Sequence, residues 1–181
     1  MQLFYATRDG QSRRIAERIA SRLIERGIQT PLHDLALAMP APQKLAEARP
    51  VVVVMAVRYG RHLPEAEQFL AVYRTLPAPP PLVLLSVNLT ARKPGKDTAE
   101  GCAYLRKSIA RHGLRPVLAY AFAGRLEYAR YSWLDRQAIR FIMLLTGGPT
   151  DPKTHVEYTP WDKVDDVARQ ISELCARAET S

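Results

Sequence analysis

Val51-Val52-Val53-Val54-Met55-Ala56 runs apolar without a break, and four of its residues are β-branched. A strand with one face in water alternates apolar and polar residues. An uninterrupted run instead fits a strand covered on both faces, as in a parallel sheet between two layers of helices. Parallel neighbours need crossover connections, so helices must alternate with strands along the rest of the chain.

They do. Residues 2–6 read as a strand and residues 11–26 as a helix, with Ile15, Ile19 and Leu23 at i, i+4 spacing beside Ala16 and Ala20. Gly27 supplies a stop. A second strand fits 28–33. Residues 40–50 carry three prolines and read as a connection with one helical turn. Pro64, Glu65 and Glu67 open a helix over 64–75. The stiff stretch Pro77-Ala78-Pro79-Pro80-Pro81 leads into a strand at 82–87. A helix over 97–112 and a strand over 117–123 follow. Thr159 as N-cap and Pro160 in the first turn start a last helix over 159–177. The expected fold is α/β: a flavodoxin-like three-layer sandwich on a five-stranded parallel sheet of order 2-1-3-4-5. Its 181 residues suit one domain, 1–181, with an insert at about 125–154.

Charge narrows the partners. A net charge of +8 favours anions. Arginines spread around every helix, without a recognition helix or an aromatic-rich sheet face, argue against specific nucleic-acid binding. Cys102 and Cys175 match no metal spacing and no disulfide framework, which points to a reducing compartment. The first residues enter a strand pattern directly, so no signal peptide is expected. No apolar run reaches the length of a membrane span.

In a parallel α/β sheet, ligands bind beyond the carboxyl ends of the strands. Three loops meet there. The first is Thr7-Arg8-Asp9-Gly10-Gln11-Ser12. It lacks the Walker and dinucleotide-binding glycine patterns. It fits the spacing hydroxyl-x-hydroxyl-Gly-x-hydroxyl of a flavodoxin phosphate loop, with Thr7 and Ser12 as hydroxyls and a helix N-terminus behind them. Asp9 is the misfit, expected to turn away and pair with Arg8 or cap the helix. A plain capped turn is the competing reading. The second loop, Val57-Arg58-Tyr59-Gly60, sets an aromatic ring and a cation at the rim. The third runs from Asn88 to Lys93.

Together T-R-D-G-Q-S, R-Y-G, S-V-N-L-T-A-R-K-P, Y-A-R-Y-S-W-L-D-R and T-G-G-P-T-D resemble the flavodoxin-type, menaquinone-dependent protoporphyrinogen IX oxidases of bacteria. The motifs occur in order from residue 2 to about residue 165. The resemblance implies bound FMN, oxidation of protoporphyrinogen IX to protoporphyrin IX in haem biosynthesis, and menaquinone or ubiquinone as acceptor. The cofactor positions it implies are Thr7, Arg8, Asp9, Gly10, Gln11, Ser12, Val57, Arg58, Tyr59, Gly60, Ser86, Val87, Asn88, Leu89 and Arg92. Candidate cations for the substrate's propionates are Arg58, Arg92, Lys93, Arg125 and Arg130, with a solvated surface charge or a lipid contact as the alternative role for any of them. No metal is implied. Ala6 and Ala56 depart from the family's usual serine and small hydroxyl residue, and each removes one hydrogen bond near the flavin, roughly 0.5–1.5 kcal/mol.

The insert carries a second pattern. Tyr131, Leu134, Ala138, Phe141, Ile142 and Leu145 share one helical face, and Arg136, Gln137 and Arg140 the other. Asp135 and Trp133 blur the division. A basic amphipathic helix over 128–145 suits an anionic membrane surface. The same face also fits packing on the domain or on a second copy of the chain, as a homo-oligomer. A quinone lives in the bilayer, which favours the membrane and a cytoplasmic enzyme peripheral to the inner membrane. His62, just after the second loop, is the nearest candidate for proton handling, with a surface histidine as the plain reading. A flavodoxin-like electron carrier or a quinone reductase with another substrate is the alternative function.

Overall fold

The computed structural model describes residues 1–127 and 155–179. The expected amphipathic stretch 128–145, Arg130 included, lies outside these residues.

The chain runs β1 (Gln2–Ala6), α1 (Gln11–Ile24), β2 (Leu32–Asp34), α2 (Pro42–Ala46), β3 (Val51–Arg58), β4 (Arg61–His62), α3 (Pro64–Tyr73), β5 (Leu82–Val87), a 3₁₀ turn (Leu89–Arg92), α4 (Ala103–His112), β6 (Leu118–Phe122), β7 (Arg125–Glu127), β8 (His155–Glu157) and α5 (Trp161–Glu179). The main sheet is ordered β2-β1-β3-β5-β6, and these five strands are parallel. The five long strand candidates therefore lie in the expected 2-1-3-4-5 order. Two features go beyond that expectation. β4 folds back antiparallel on β3, and β7 pairs with β8 in a separate ladder.

The valine run is unbroken because successive side chains feed two different cores. Val52 and Val54 join Leu3, Leu85 and Phe122 against Ile15 and Ile19 of α1 and Val164, Val167 and Ile171 of α5. Val51, Val53 and Met55 join Phe4 and Leu84 against Leu45 of α2, Phe69 and Leu70 of α3, and Leu105 of α4. Each face loses contact if its half of the alternation is changed. Truncation of the fully buried Phe69 to Ala costs about 3–5 kcal/mol on this basis.

Three local expectations are corrected. The second strand is 32–34, not 28–33, because α1 ends in a glycine-closed turn. Gly27 has φ +79, its N–H reaches Ile24 O at 2.9 Å, and the Ile28 N–H reaches Leu23 O at 3.0 Å. Residues 25–28 are thus spent on closing the helix. The helix expected at 97–112 starts at Ala103. Asp97 is committed to the sheet edge instead: its carbonyl accepts from Ala121 N at 2.7 Å, and its carboxylate accepts from the Tyr120 hydroxyl at 2.6 Å. Gly101 is required there, since a Cβ would fall 1.7 Å from Gly95 O. Last, the Thr159 hydroxyl donates to Ala123 O at 3.0 Å and accepts from Gln11 Nε2 at 2.7 Å. It joins α1 to β6, while Pro160 O takes the first amide bonds of α5.

β7 and β8 pair antiparallel on either side of residues 128–154. Glu157 faces Arg125 in register, and its carboxylate receives Gln11 Nε2 at 2.9 Å and Arg14 at 2.8 Å. β8 is therefore fastened to the first turn of α1.

Candidate functional site

All three expected loops border one cavity of about 150 Å³ at the carboxyl edge of the sheet. Thr7, Asp9, Gln11 and Ser12 form one wall. Val57, Arg58, Tyr59 and Gly60 form a second. Val87, Asn88 and Leu89 form a third, and Arg125 closes the side. Ala56, Thr90, Tyr104 and Gly124 also line it. Thr90 belongs to the third-loop motif, whereas Tyr104 reaches the site from α4 with no local sequence signal.

The first wall is built for an anion. Gly10, at φ +82, occupies the N-cap of α1, and no side chain caps that helix. The Gly10 amide is spent on Thr7 Oγ1 at 3.0 Å. Ser12 is 1% exposed, and its hydroxyl has no hydrogen-bond partner among the described residues. A buried hydroxyl without a partner normally costs about 1–3 kcal/mol. Here it lies on the first turn of a helix whose leading amides point outward, where a phosphate completes both. The same cavity reaches Tyr59 and Tyr104, so it suits a phosphate monoester that carries a flat ring system.

Asp9 does not pair with Arg8 or cap α1. It forms an ion pair with Arg58 Nη1 at 3.5 Å across the mouth, which removes its repulsion from the anion wall. Arg8 turns away from the cavity onto Glu65, at 2.9 and 3.3 Å. Gln11 directs its side chain to Glu157 and Thr159. Arg92 folds onto Leu89 O at 2.8 Å and over the Tyr158 ring.

The second wall is a two-residue hairpin. Val57 pairs with His62 and Arg58 with Arg61, and the turn residues Tyr59 and Gly60 have φ +50 and +77. Two positive φ values mark a type I′ turn. Tyr59 is the one described non-glycine residue in this region of backbone, a conformation that costs about 1–3 kcal/mol. It stands exposed on the lip of the cavity, with the Arg58 guanidinium 5.6 Å from its ring centre.

The hairpin also corrects the reading of His62. It is no surface histidine: it is 2% exposed. Its Nδ1 lies 2.9 Å from Ser108 Oγ and its Nε2 3.0 Å from Ser86 Oγ. The polarity of this chain follows from its ends. Ser108 donates to Glu67 at 2.9 Å, so it accepts from His62 Nδ1–H. Asn88 Oδ1 accepts from Ala91 N at 3.1 Å, which turns its amide nitrogen onto Ser86 Oγ at 3.2 Å. Ser86 must then donate to His62 Nε2. Ser86 thus lies behind the third wall rather than in it, and fixes the amide of Asn88, which does line the cavity. At the outer end, His62, Ser108, His112 and Arg111 hold the Glu67 carboxyl well below the usual carboxylate range, His62 contributing most and burial opposing. At 3.7 Å from Glu67, His62 acts through its N–H dipole rather than a formed hydrogen bond.

A flavodoxin domain model matches residues 2–153. Protoporphyrinogen IX dehydrogenase [quinone] of Escherichia coli strain K12 is 38% identical over 172 residues, which is 95% of this chain and 94% of that protein. The protein of the same name from Leishmania major is 33% identical and aligns with 95% of this chain and 74% of its own length.

The chain belongs to the protoporphyrinogen IX dehydrogenase family.

Family members are oxidoreductases. Oxidised flavodoxin 1 from Bacillus cereus shares the fold, with TM-score 0.56 over 95% of this chain and 96% of its own, at 11% identity. No helix among the described residues is long and apolar enough to cross a membrane.

Proposed function

We propose that this protein binds FMN in the three-walled cavity and oxidises protoporphyrinogen IX to protoporphyrin IX, passing the electrons to a membrane quinone in haem biosynthesis. The substrate and acceptor are those in the names of relatives up to 38% identical over 95% of the chain. The observation that carries the reading is the buried Ser12 hydroxyl, without a partner among the described residues, at the uncapped start of α1, in the cavity that also holds Tyr59.

Bound FMN supplies the two-electron redox chemistry. The chain supplies binding and orientation. Thr7, Ser12 and the first amides of α1 would take the phosphate. Tyr59, Asn88, Leu89 and Thr90, which line the rest of the cavity, would hold the ring. Arg58 and Asp9 neutralise each other at the mouth, so the phosphate meets the helix N-terminus without a net opposing charge. Among the described residues the titratable groups that line the cavity are Asp9, Arg58, Tyr59, Tyr104 and Arg125. Three rounds of two-electron oxidation would convert the substrate to the porphyrin, with three quinones reduced to quinols. The basic amphipathic pattern over 128–145 supports attachment to an anionic bilayer, where the quinone resides.

The test is an anaerobic half-reaction of the FMN-loaded protein. Protoporphyrinogen should bleach the flavin, and a menaquinone analogue should restore its colour. Flavin that binds but does not bleach would leave an electron carrier or a reductase of another substrate.

A further inference from the structure

A second cavity of about 90 Å³ adjoins the first, and the two share Gly60 and Tyr104. Sequence and fold explain its composition. The type I′ turn reverses the chain after two residues, so Arg61 stands opposite Arg58 on the outer side while His62 turns inward. On α4, Tyr104, Lys107, Ser108 and Arg111 follow at i, i+3, i+4 and i+7, which is one face of a helix. Arg61, Lys107 and Arg111 therefore surround a floor made by His62, Ser108 and Glu67.

The charges do not balance. Glu67 is the sole carboxylate among the described residues that line this cavity, and it is already committed to Ser108, Arg111 and His112, each at 2.9 Å. Arg61 and Lys107 have no ion-pair partner among the described residues. Near the main cavity Arg8 is paired with Glu65 and Arg58 with Asp9, whereas Arg61 and Lys107 line the recess without such a partner. Two uncompensated cations thus face a recess that opens at the ring end of the main cavity, across the sheet edge from the phosphate wall.

We propose that this recess is the carboxylate subsite for the substrate, in which Arg61 and Lys107 hold the propionate groups of the tetrapyrrole. The proposal rests on the reading of the main cavity as the site of protoporphyrinogen oxidation. It assigns to Arg61 and Lys107 a role for which Arg58 and Arg92 are poorly placed, since the first is paired with Asp9 and the second is bonded to Leu89 O. A macrocycle laid against the Tyr59–Gly60 lip directs neighbouring propionates into the recess. The guanidinium offers a bidentate fork and the ammonium a point charge.

The experiment compares protoporphyrin IX with its dimethyl ester, by fluorescence titration into the FMN-loaded protein. The ester keeps the ring and removes both charges. The wild type should prefer the acid, and Arg61→Gln/Lys107→Gln should weaken acid binding about tenfold while ester binding holds. Both side chains are exposed, so folding is not at stake. Arg74→Gln/Arg115→Gln makes the same change of net charge away from the recess and should keep the preference. The proposal is overturned if Arg61→Gln/Lys107→Gln retains the full preference for the acid, or if the remote pair loses it equally, which would reduce the effect to overall charge. If FMN loads but neither acid nor ester binds the wild type, the substrate reading itself fails and the subsite with it.

Discussion

His62 Nε2 accepts the hydroxyl proton of Ser86 at 3.0 Å, and this buried pair lies between the third wall of the cavity and the Glu67 cluster. Leucine at position 62 leaves Ser86 without an acceptor and Ser108 without its donor. Loss of about 1–3 kcal/mol of stability is expected for His62→Leu. Glutamine presents a donor and an acceptor at similar spacing, so His62→Gln should recover most of that loss. FMN affinity should follow the same order, because Asn88 relies on Ser86. Urea denaturation of the apo protein and flavin fluorescence titration check both effects.

Ser12→Ala should act in opposite directions on the apo and loaded protein. It removes a buried hydroxyl that has no partner among the described residues, so apo stability stays level or rises. It also removes a hydrogen bond to a charged phosphate, about 1.5–3 kcal/mol, or some tenfold to a hundredfold in FMN affinity. A fall in apo stability without a fall in affinity would contradict the assignment of this wall.

Tyr59→Gly relieves the left-handed backbone at φ +50 and should stabilise the apo protein by about 1 kcal/mol. The same change strips the aromatic lip from the cavity. Bound flavin should then be more fluorescent and more weakly held. Thermal melts and emission spectra read the two effects separately.

Acid should destabilise the fold through Glu67. Its folded pKa is depressed, so its contribution is complete above the unfolded glutamate value, about 4.3, and drains away as pH falls below it. Asp165, held down by Arg18 and Arg22 between α1 and α5, adds in the same sense. Glu67→Gln should be less stable than wild type at neutral pH and should show a flatter loss below pH ~4. Urea midpoints across that range give the slope.

The sheet, its order and the three loops were legible because they rest on local signals: the apolar run at 51–56, the loop Thr7–Ser12 and the third-loop motif. What escaped depends on partners far away in sequence. Arg8 gave no sign that it would choose Glu65, nor Asp9 that it would choose Arg58. Asp97 reads as a helix start until β6 claims both its carbonyl and its carboxylate. The hairpin after β3 was hidden because type I′ turns favour Asn-Gly or Asp-Gly, and this one uses Tyr59-Gly60. Without that reversal, His62 reads as a loop residue; with it, alternation carries the ring into the interior.

The most direct measurement is a calorimetric titration of the apo protein with FMN and with riboflavin, which differ by the phosphate alone. FMN should bind one per chain and at least a hundredfold more tightly than riboflavin, with some tenfold to a hundredfold of that difference lost in Ser12→Ala. Equal affinity for the two flavins, or no binding of either, would contradict it.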